Sequence, residues 1–470
     1  MHNNLKKNSW RGFQTDLQLH SGRKKTFSKI KKTLTLVFVV SLILYGIDLA
    51  DINIFPNNNN NTKNADAYHK QDTGLNGQVA LAEKDKKKFT KKDLQTLLLT
   101  QKLVNCEKKN ITLKFKDTMV EIETSLNMQL QHFILKKLER LKTLTRGKPH
   151  SIGIIAMAPG TGEILAMTGF NLSDPEMNPC AAGDYPAASI FKIITASAAV
   201  ETCGYTLQTP LYFNGGKYTL YKRQLKEKRN RYTRKVSFAH AFAESINPVF
   251  GKLGSIYLGG ETLRKYANAF GFNRSIDSDI SFEPGSIKIT DKSYQWAEVG
   301  CGFNKTTTIS PLFAAMVTST IINSGSQPVP WIVEKVTNSK GEAVYKQKNI
   351  SGNRAIKQET AHTIMKMMNK TIATGTASKA FRGFKKDSIL SKLNIGGKTG
   401  SLSNKKHTVK YDWFTGFGQT KNGKKQIVAA VIVGHRKYIG TRASRYGRLI
   451  FKEYFKNYFA SNNQISAKKG

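Results

Sequence analysis

The stretch YPAASIFKIITASAAV, residues 185–200, places Ser189 three residues ahead of Lys192 at the head of an apolar run. Pro186 precedes the serine by three positions, and Pro and Ser just before such a run mark a helix start. The spacing predicts Ser189 at a helix N-terminus and Lys192 one turn later on the same side, within reach of the serine oxygen. A serine hydroxyl is a weak nucleophile until a neighbouring base takes its proton. A lysine in a dry pocket can lose its charge and become that base. A capping serine followed by a surface lysine has the same spacing, so the pair acquires meaning only from its surroundings.

Two more short patterns lie downstream. Ser245–Ile246–Asn247 falls between a helix-like stretch, Phe238 to Glu244, and Pro248. It offers a hydroxyl that can relay a proton and an amide that can hold a substrate carbonyl or the lysine. Lys398–Thr399–Gly400–Ser401 follows Gly396–Gly397, whose lack of a Cβ allows close backbone approach. A strand edge here can carry a peptide by main-chain hydrogen bonds, and Lys398 with the hydroxyls can receive a carboxylate. A phosphate loop is excluded, because it needs a glycine where Lys392 stands.

Outward from these patterns, SIGIIAM (Ser151–Met157) reads as an apolar strand, Pro159–Gly160–Thr161–Gly162 as a turn, and EILAM as the returning strand. YDWFTGF and QIVAAVIVG flank Asn422–Gly423, a second strand pair around a turn. Strand pairs at both ends of a helical middle predict an α+β fold, one antiparallel sheet built from both ends of the domain with helices against it. A helix is expected from about Asn127 to Leu144, with Leu130, Phe133, Ile134, Leu138 and Leu141 three or four residues apart. Another begins at Thr90, where Asp93 completes a capping-box-like start before Leu94, Leu97, Leu98 and Val104.

The chain has 470 residues and a formal charge of +42, from 74 Lys plus Arg against 32 Asp plus Glu. No zinc-finger spacing, RNP-like aromatic segment or helix-turn-helix pattern accompanies that charge, so it does not read as nucleic-acid recognition. The run Lys222, Arg223, Lys226, Lys228, Arg229, Arg231, Arg234, Lys235, opposed only by Glu227, is either a solvated loop or a contact for anionic polymer or lipid-linked substrate. Cys106, Cys180, Cys203 and Cys301 fit no zinc spacing. Cys180–Cys203 or Cys203–Cys301 pairing and free buried thiols are all open. At the N-terminus a Lys/Arg-rich tail precedes the apolar run TLTLVFVVSLILYGI, Thr33 to Ile47. The charge asymmetry predicts an uncleaved membrane anchor with the tail inside and the rest outside. The polar NNNNNT that follows reads as a tether.

Ser-x-x-Lys at 189, Ser-x-Asn at 245 and Lys-Thr-Gly at 398, in that order beyond an anchor, resemble the transpeptidase domain of penicillin-binding proteins and related β-lactamases. TSLNMQLQ (Thr124–Gln131), MAPGTGEILAM (Met157–Met167), SINPVFGKLG (Ser245–Gly254), GGKTGS and YDWFTGF resemble further landmarks, so the likeness covers roughly residues 111–459. Ala187–Ala188 stand where the family usually has Pro-Gly, Ile190 where Thr is common, and Ile246 where the middle motif has Asp. No counterpart of the glycosyltransferase domain of bifunctional members is evident.

The resemblance implies a β-lactamase/transpeptidase-like fold and a serine D,D-transpeptidase that cross-links peptidoglycan stem peptides with release of terminal D-alanine and is acylated by β-lactams. Ser189 would be the nucleophile, Lys192 the general base and Ser245 the proton relay. Asn247 would position the substrate. Lys398, Thr399 and Ser401 would receive the terminal carboxylate, with Lys398 staying charged while Lys192 alone is depressed. The backbone N–H groups of Ser189 and Ser401 would form the oxyanion hole. The chemistry needs no metal or organic cofactor. Expected partners are stem peptides, lipid-linked precursor, β-lactams and a membrane glycosyltransferase. A D,D-carboxypeptidase or β-lactamase, and a non-catalytic scaffold or β-lactam sensor, are the alternatives. The expected organisation is a basic cytoplasmic tail at 1–32, an anchor at 33–52, a linker at 53–80, a membrane-proximal region at 81–120, a transpeptidase domain at 121–460 outside the cytoplasmic membrane, and a polar tail at 461–470.

Overall fold

The computed structural model describes residues 89–348 and 351–467. The expected anchor at 33–52, with the tail and linker around it, lies outside those residues. Among the described residues no helix is long and apolar enough to cross a membrane.

The first helix among the described residues, α1 (Lys91–Leu99), starts with the expected capping box: Thr90 and Asp93 each accept from the other's backbone N–H. Strands β1 (Asn110–Phe115) and β2 (Thr118–Thr124) follow as a hairpin, and β2 also pairs with β5 (Val333–Asn338), which carries β6 (Ala343–Lys346) on its far side. The expected border at residue 120 therefore falls inside a strand. Leu94, Leu97 and Leu98 of α1 share one apolar cluster with Val120, Ile122, Val336, Ile193 and Ile194. Residues 89–120 are built into the same compact unit as the rest.

The central sheet joins the two ends of that unit. Its strands are β3 (Ser151–Met157), β4 (Ile164–Asn171), β7 (Leu393–Ser403), β8 (Lys410–Thr420) and β9 (Gln426–His435), in the order β7-β8-β9-β3-β4 and antiparallel throughout. Val431 of β9 pairs with Ile154 of β3, which closes the sheet across some 280 residues of chain. Both β3 and β9 read as unbroken apolar runs because both faces are covered. Val428, Ala430 and Ile432 point to the helical middle, while Ile427, Ala429, Val431 and Val433 pack on the opposite side with two terminal helices. Those two are α2 (Met128–Lys142), capped by Asn127, and α9 (Ala443–Ala467), which runs on through the stretch expected as a polar tail.

The helical middle includes α3 (Lys192–Cys203), α4 (Phe238–Ala243), α5 (Asn247–Lys252), α6 (Ser293–Cys301), α7 (Pro311–Ile322) and α8 (Gln358–Ala373), with a further helix at Gly259–Ala269 and shorter turns. Helix α7 is buried along its whole length against β3, β8 and β9, and Thr318 shares a 2.6 Å hydroxyl contact with Thr415 of β8. All four cysteines are free. Neither suggested disulfide forms. The Cys180 thiol donates to Thr168 O at 3.2 Å, and burial pushes its pKa up to about 12.

Candidate active site

Ser189 does not open an α-helix. It lies in a single 3-10 turn, Ala188–Phe191, and α3 begins at Lys192. Ala188 has φ 48°, the left-handed conformation in which a Cβ is strained, which explains why a glycine suits this position. The turn is clamped from three sides. Ala187 N donates to Thr307 O at 2.9 Å, Trp413 Nε1 donates to Pro186 O at 2.9 Å, and Gly302 at φ +68° passes so close that a Cβ there would sit 1.9 Å from Ala188 O. Gly400 of β7 also passes close: a Cβ there would lie 3.1 Å from Ser189 N. The glycine of Lys-Thr-Gly thus lets the edge strand run beside the Ser189 backbone amide.

Lys192 is fully buried and its amine is triply bonded: to Ser189 Oγ at 2.7 Å, Asn247 Oδ1 at 2.8 Å and Cys301 O at 2.7 Å. Burial lowers its pKa to about 8, because an ion removed from water without a carboxylate partner is disfavoured. Asn247 is held in turn, its Nδ2 on Tyr218 O at 3.0 Å and its backbone N–H on Lys217 O at 2.7 Å. Ser245 turns the chain between α4 and α5 at φ 55°.

Lys398 reaches in from β7 and donates to Ser245 Oγ at 2.9 Å and to Thr399 O at 2.8 Å. The expectation that Lys398 stays charged while Lys192 alone is depressed is not what the site favours. Both lysines are fully buried, and Lys398 is pushed well down by burial first and by the neighbouring Lys192 charge second. Phenylalanines from the helices flanking the Ser-Ile-Asn turn wall both amines: Phe250 lies 5.6 Å from Lys192 Nζ and Phe242 5.5 Å from Lys398 Nζ. Thr399 Oγ1 lies 2.5 Å from Thr376 Oγ1, and Ser401 Oγ donates to Asp412 Oδ1 at 3.1 Å. Ser189 and Thr399 are half-buried and Ser401 is exposed, so hydroxyls face the opening and amines stand behind them.

The three patterns thus converge from three separate elements, and every side chain singled out in them lies in or beside one cluster. A serine oxygen hydrogen-bonded to a buried amine of lowered pKa is the geometry of an activated nucleophile. Four participants had no legible signal: the Cys301 carbonyl, Thr376, Asp412 and the Lys217–Tyr218 backbone. Asp412 stood in the quoted YDWFTGF stretch, but nothing there distinguishes a supporting carboxylate from a surface one.

Residues 152–457 match the family described as penicillin binding protein transpeptidase domain. Stage V sporulation protein D of Bacillus subtilis is 25% identical over 298 residues, 60% of this chain and 44% of that protein. Peptidoglycan D,D-transpeptidase PbpA of Mycobacterium tuberculosis is 23% identical over 321 residues, 60% of this chain and 61% of that one. The chain spans about half the length of these curated relatives. Among solved structures, the D,D-transpeptidase domain of a peptidoglycan glycosyltransferase from Eggerthella lenta superposes with TM-score 0.57 at 22% identity, covering 71% of this chain and 82% of that one. The imipenem acyl-enzyme of M. tuberculosis penicillin-binding protein A gives 0.58 at 20% identity, covering 71% and 79%. The chain belongs to the penicillin-binding protein transpeptidase family, with its α+β fold and its association with the cell wall.

Proposed function

We propose that this protein is a peptidoglycan D,D-transpeptidase working through an acyl-enzyme on Ser189. The observation that carries the reading is the Lys192 amine, buried, lowered in pKa to about 8 and 2.7 Å from Ser189 Oγ. As Ser189 Oγ attacks the carbonyl between two terminal D-alanines, Lys192 accepts its proton. Ser245 relays a proton to the departing amine, with Lys398 behind it. Asn247 holds the Lys192 amine and the substrate backbone. Lys398, Thr399 and Ser401 face the terminal carboxylate. The N–H groups of Ser189 and Ser401, brought close by Gly400, stabilise the oxyanion. An amine of a neighbouring stem peptide then takes the acyl group. A β-lactam enters by the same attack and stays on the serine. The site works outside the cytoplasmic membrane, on stem peptides and lipid-linked precursor, held by the segment at 33–52.

Labelling the protein with a fluorescent penicillin and mapping the modified peptide tests this. Label on Ser189 that vanishes in Ser189→Ala is expected, with the fold retained because the lost hydrogen bond is worth only about 1 kcal/mol. A folded protein left unlabelled at Ser189 overturns the reading. Product masses from a stem-peptide donor, with and without an acceptor amine, then separate cross-linking from hydrolysis.

A further inference from the structure

Asn247 donates from Nδ2 to Tyr218 O at 3.0 Å and from its backbone N–H to Lys217 O at 2.7 Å, while its Oδ1 accepts from Lys192 Nζ at 2.8 Å. The two carbonyls belong to a strap, residues 214–221, that is neither helix nor strand. Gln224 closes the feet of this strap. Its amide is 3% exposed, accepts from Tyr221 N at 2.9 Å and Thr219 Oγ1 at 3.1 Å, and donates to Asn214 O at 2.9 Å and Gly216 O at 3.2 Å. All four of its hydrogen-bonding positions are spent. Leu220 O accepts from the Tyr294 hydroxyl of α6 at 2.9 Å.

The crest of the strap, Lys217–Tyr218, is held in another way. Lys217 Nζ pairs with Glu244 Oε2 at 2.7 Å, and Glu244 is the residue before Ser245. The Tyr218 side chain is exposed. An amide has one donor end and one acceptor end, and an ammonium can only donate. A carbonyl fixed on Asn247 Nδ2 therefore leaves Oδ1 for Lys192. With the crest loose, the amide would be free to turn, and the ammonium would lose one of its three acceptors.

From this arrangement we propose that Lys217 and Glu244 are positioning residues, whose ion pair pins the crest so that the Tyr218 carbonyl keeps Asn247 Oδ1 turned to Lys192. The inference rests on the roles given to Ser189 and Lys192 above. Lys217 and Glu244 are half-buried, and a pair of that exposure adds little to stability. Its loss should register at the site and hardly in the melting temperature.

The test is the rate of acylation of the full-length protein by a chromogenic β-lactam, measured against pH. Lys217→Met and Glu244→Gln should each lower the plateau rate by about fivefold, the most that such a pair supplies. Lys217→Glu combined with Glu244→Lys, which rebuilds the pair in reverse, should recover most of the rate. Lys142→Met, which removes a pair with Glu139 on α2, should leave it unchanged. The direction of the pH effect separates positioning from a change of field. Lys398 of β7 and the Cys301 thiol of α6 are the titratable groups that act on Lys192, and the Tyr218 hydroxyl feels the Lys217–Glu244 pair. These stay the same in both single variants. Acting through Asn247, each variant takes an acceptor from the Lys192 ammonium, so the pH at which acylation falls off moves down in both. Acting through charge alone, loss of the cation moves it up and loss of the anion moves it down. Opposite shifts overturn the proposal. So does a slowing by Lys217→Met that is as large in an Asn247→Ala background as in wild type. Thermal melting checks that each variant is folded; if Glu244→Gln is not, Lys217→Met and the reversed pair carry the test. Wild-type protein that takes no label at Ser189 overturns the reading of that serine and this inference with it. Unchanged rates in the variants of a labelled wild type overturn the inference alone.

Discussion

Lys398 donates to the Ser245 hydroxyl at 2.9 Å from a position fully sealed from solvent. Its other partner is the Thr399 carbonyl, so the amine is solvated by two neutral oxygens. Burial holds its pKa well down, and the Lys192 charge adds to that. A carboxylate bound against Thr399 and Ser401 would reverse the balance by favouring the cation. Binding of a carboxylate-ended donor should therefore take up a proton at Lys398, and binding of the matching amide should not. Calorimetry near neutral pH, in buffers of different ionisation enthalpy, reads the uptake directly. Lys398→Met should erase the difference between acid and amide. Uptake that persists in that variant removes Lys398 from the carboxylate's site.

In the base role proposed for it, Lys192 must be neutral for acylation, and its pKa lies at about 8. The rate of acylation by a chromogenic β-lactam should rise with pH and level off above that value. Lys192→Met should lose acylation almost entirely, because no other base stands on Ser189 Oγ among the described residues. Stability follows the same group with a defined sign. The unfolded lysine titrates at 10.5 and the folded one at about 8, so between those values the unfolded chain holds more protons. Unfolding free energy should then rise with pH across that window, while below it the full cost of the buried charge remains and Lys192 adds no pH dependence. Lys398, also lowered, works in the same direction. A flat acylation profile around pH 8 would contradict the assignment of Lys192 as base.

Much of this was legible because it is carried by local patterns. The apolar strand runs, the Asn422–Gly423 turn and the Thr90 capping box are each read within a few residues, and each forms as expected. The reach of α1 into the core was not legible. Its Gln95 amide donates to Ser278 O at 2.7 Å, a contact 183 residues away that no local spacing encodes. The titration of Lys398 was misread for a similar reason. The charge of a lysine depends on how completely other elements enclose it, and Phe242 and Ser245 come from a segment 153 residues away by the Ser245 contact. The Cys301 carbonyl on Lys192 is a backbone atom, which leaves no mark in residue type at all.

The turn before Ser189 yields a pair of opposed effects. Ala188 holds φ 48°, where a non-glycine residue costs about 1 kcal/mol. Ala188→Gly should raise stability by up to that amount, offset in part by the freer unfolded chain. Gly302→Ala should do the reverse. Its φ of +68° strains any Cβ, and that Cβ would sit 1.9 Å from Ala188 O, so the 187–191 turn must move. We expect this variant to lose acylation far more than it loses melting temperature, since Lys192 is also held by the carbonyl of Cys301 next door. Chemical denaturation and acylation rates measured on both variants check the pair. A Gly302→Ala protein with wild-type acylation would mean that the turn is not positioned by this contact.

Asp412 ties the exposed edge of the site to the last helix. It is 6% exposed and accepts from Ser401 Oγ at 3.1 Å, Arg442 Nη1 at 3.1 Å and Ala443 N at 2.7 Å. The last of these satisfies a backbone donor at the start of α9, so the same carboxylate caps a core helix and orients a hydroxyl at the cleft. Asp412→Ala leaves Arg442, the Ala443 N–H and the Ser401 hydroxyl without that acceptor. A loss of about 2–4 kcal/mol in unfolding free energy is expected from an unpaired buried network of this kind. The functional part is separable by a double-mutant cycle with Ser401→Ala. If Asp412 acts on substrate by orienting Ser401, its removal should weaken binding of a carboxylate-ended donor in the wild-type background and have no further effect once Ser401 is alanine. The stability loss, which runs mainly through α9, should remain in both backgrounds. Additive effects on donor binding would mean that Asp412 reaches the substrate by another route, and the link from β8 through Ser401 to the carboxylate would fail.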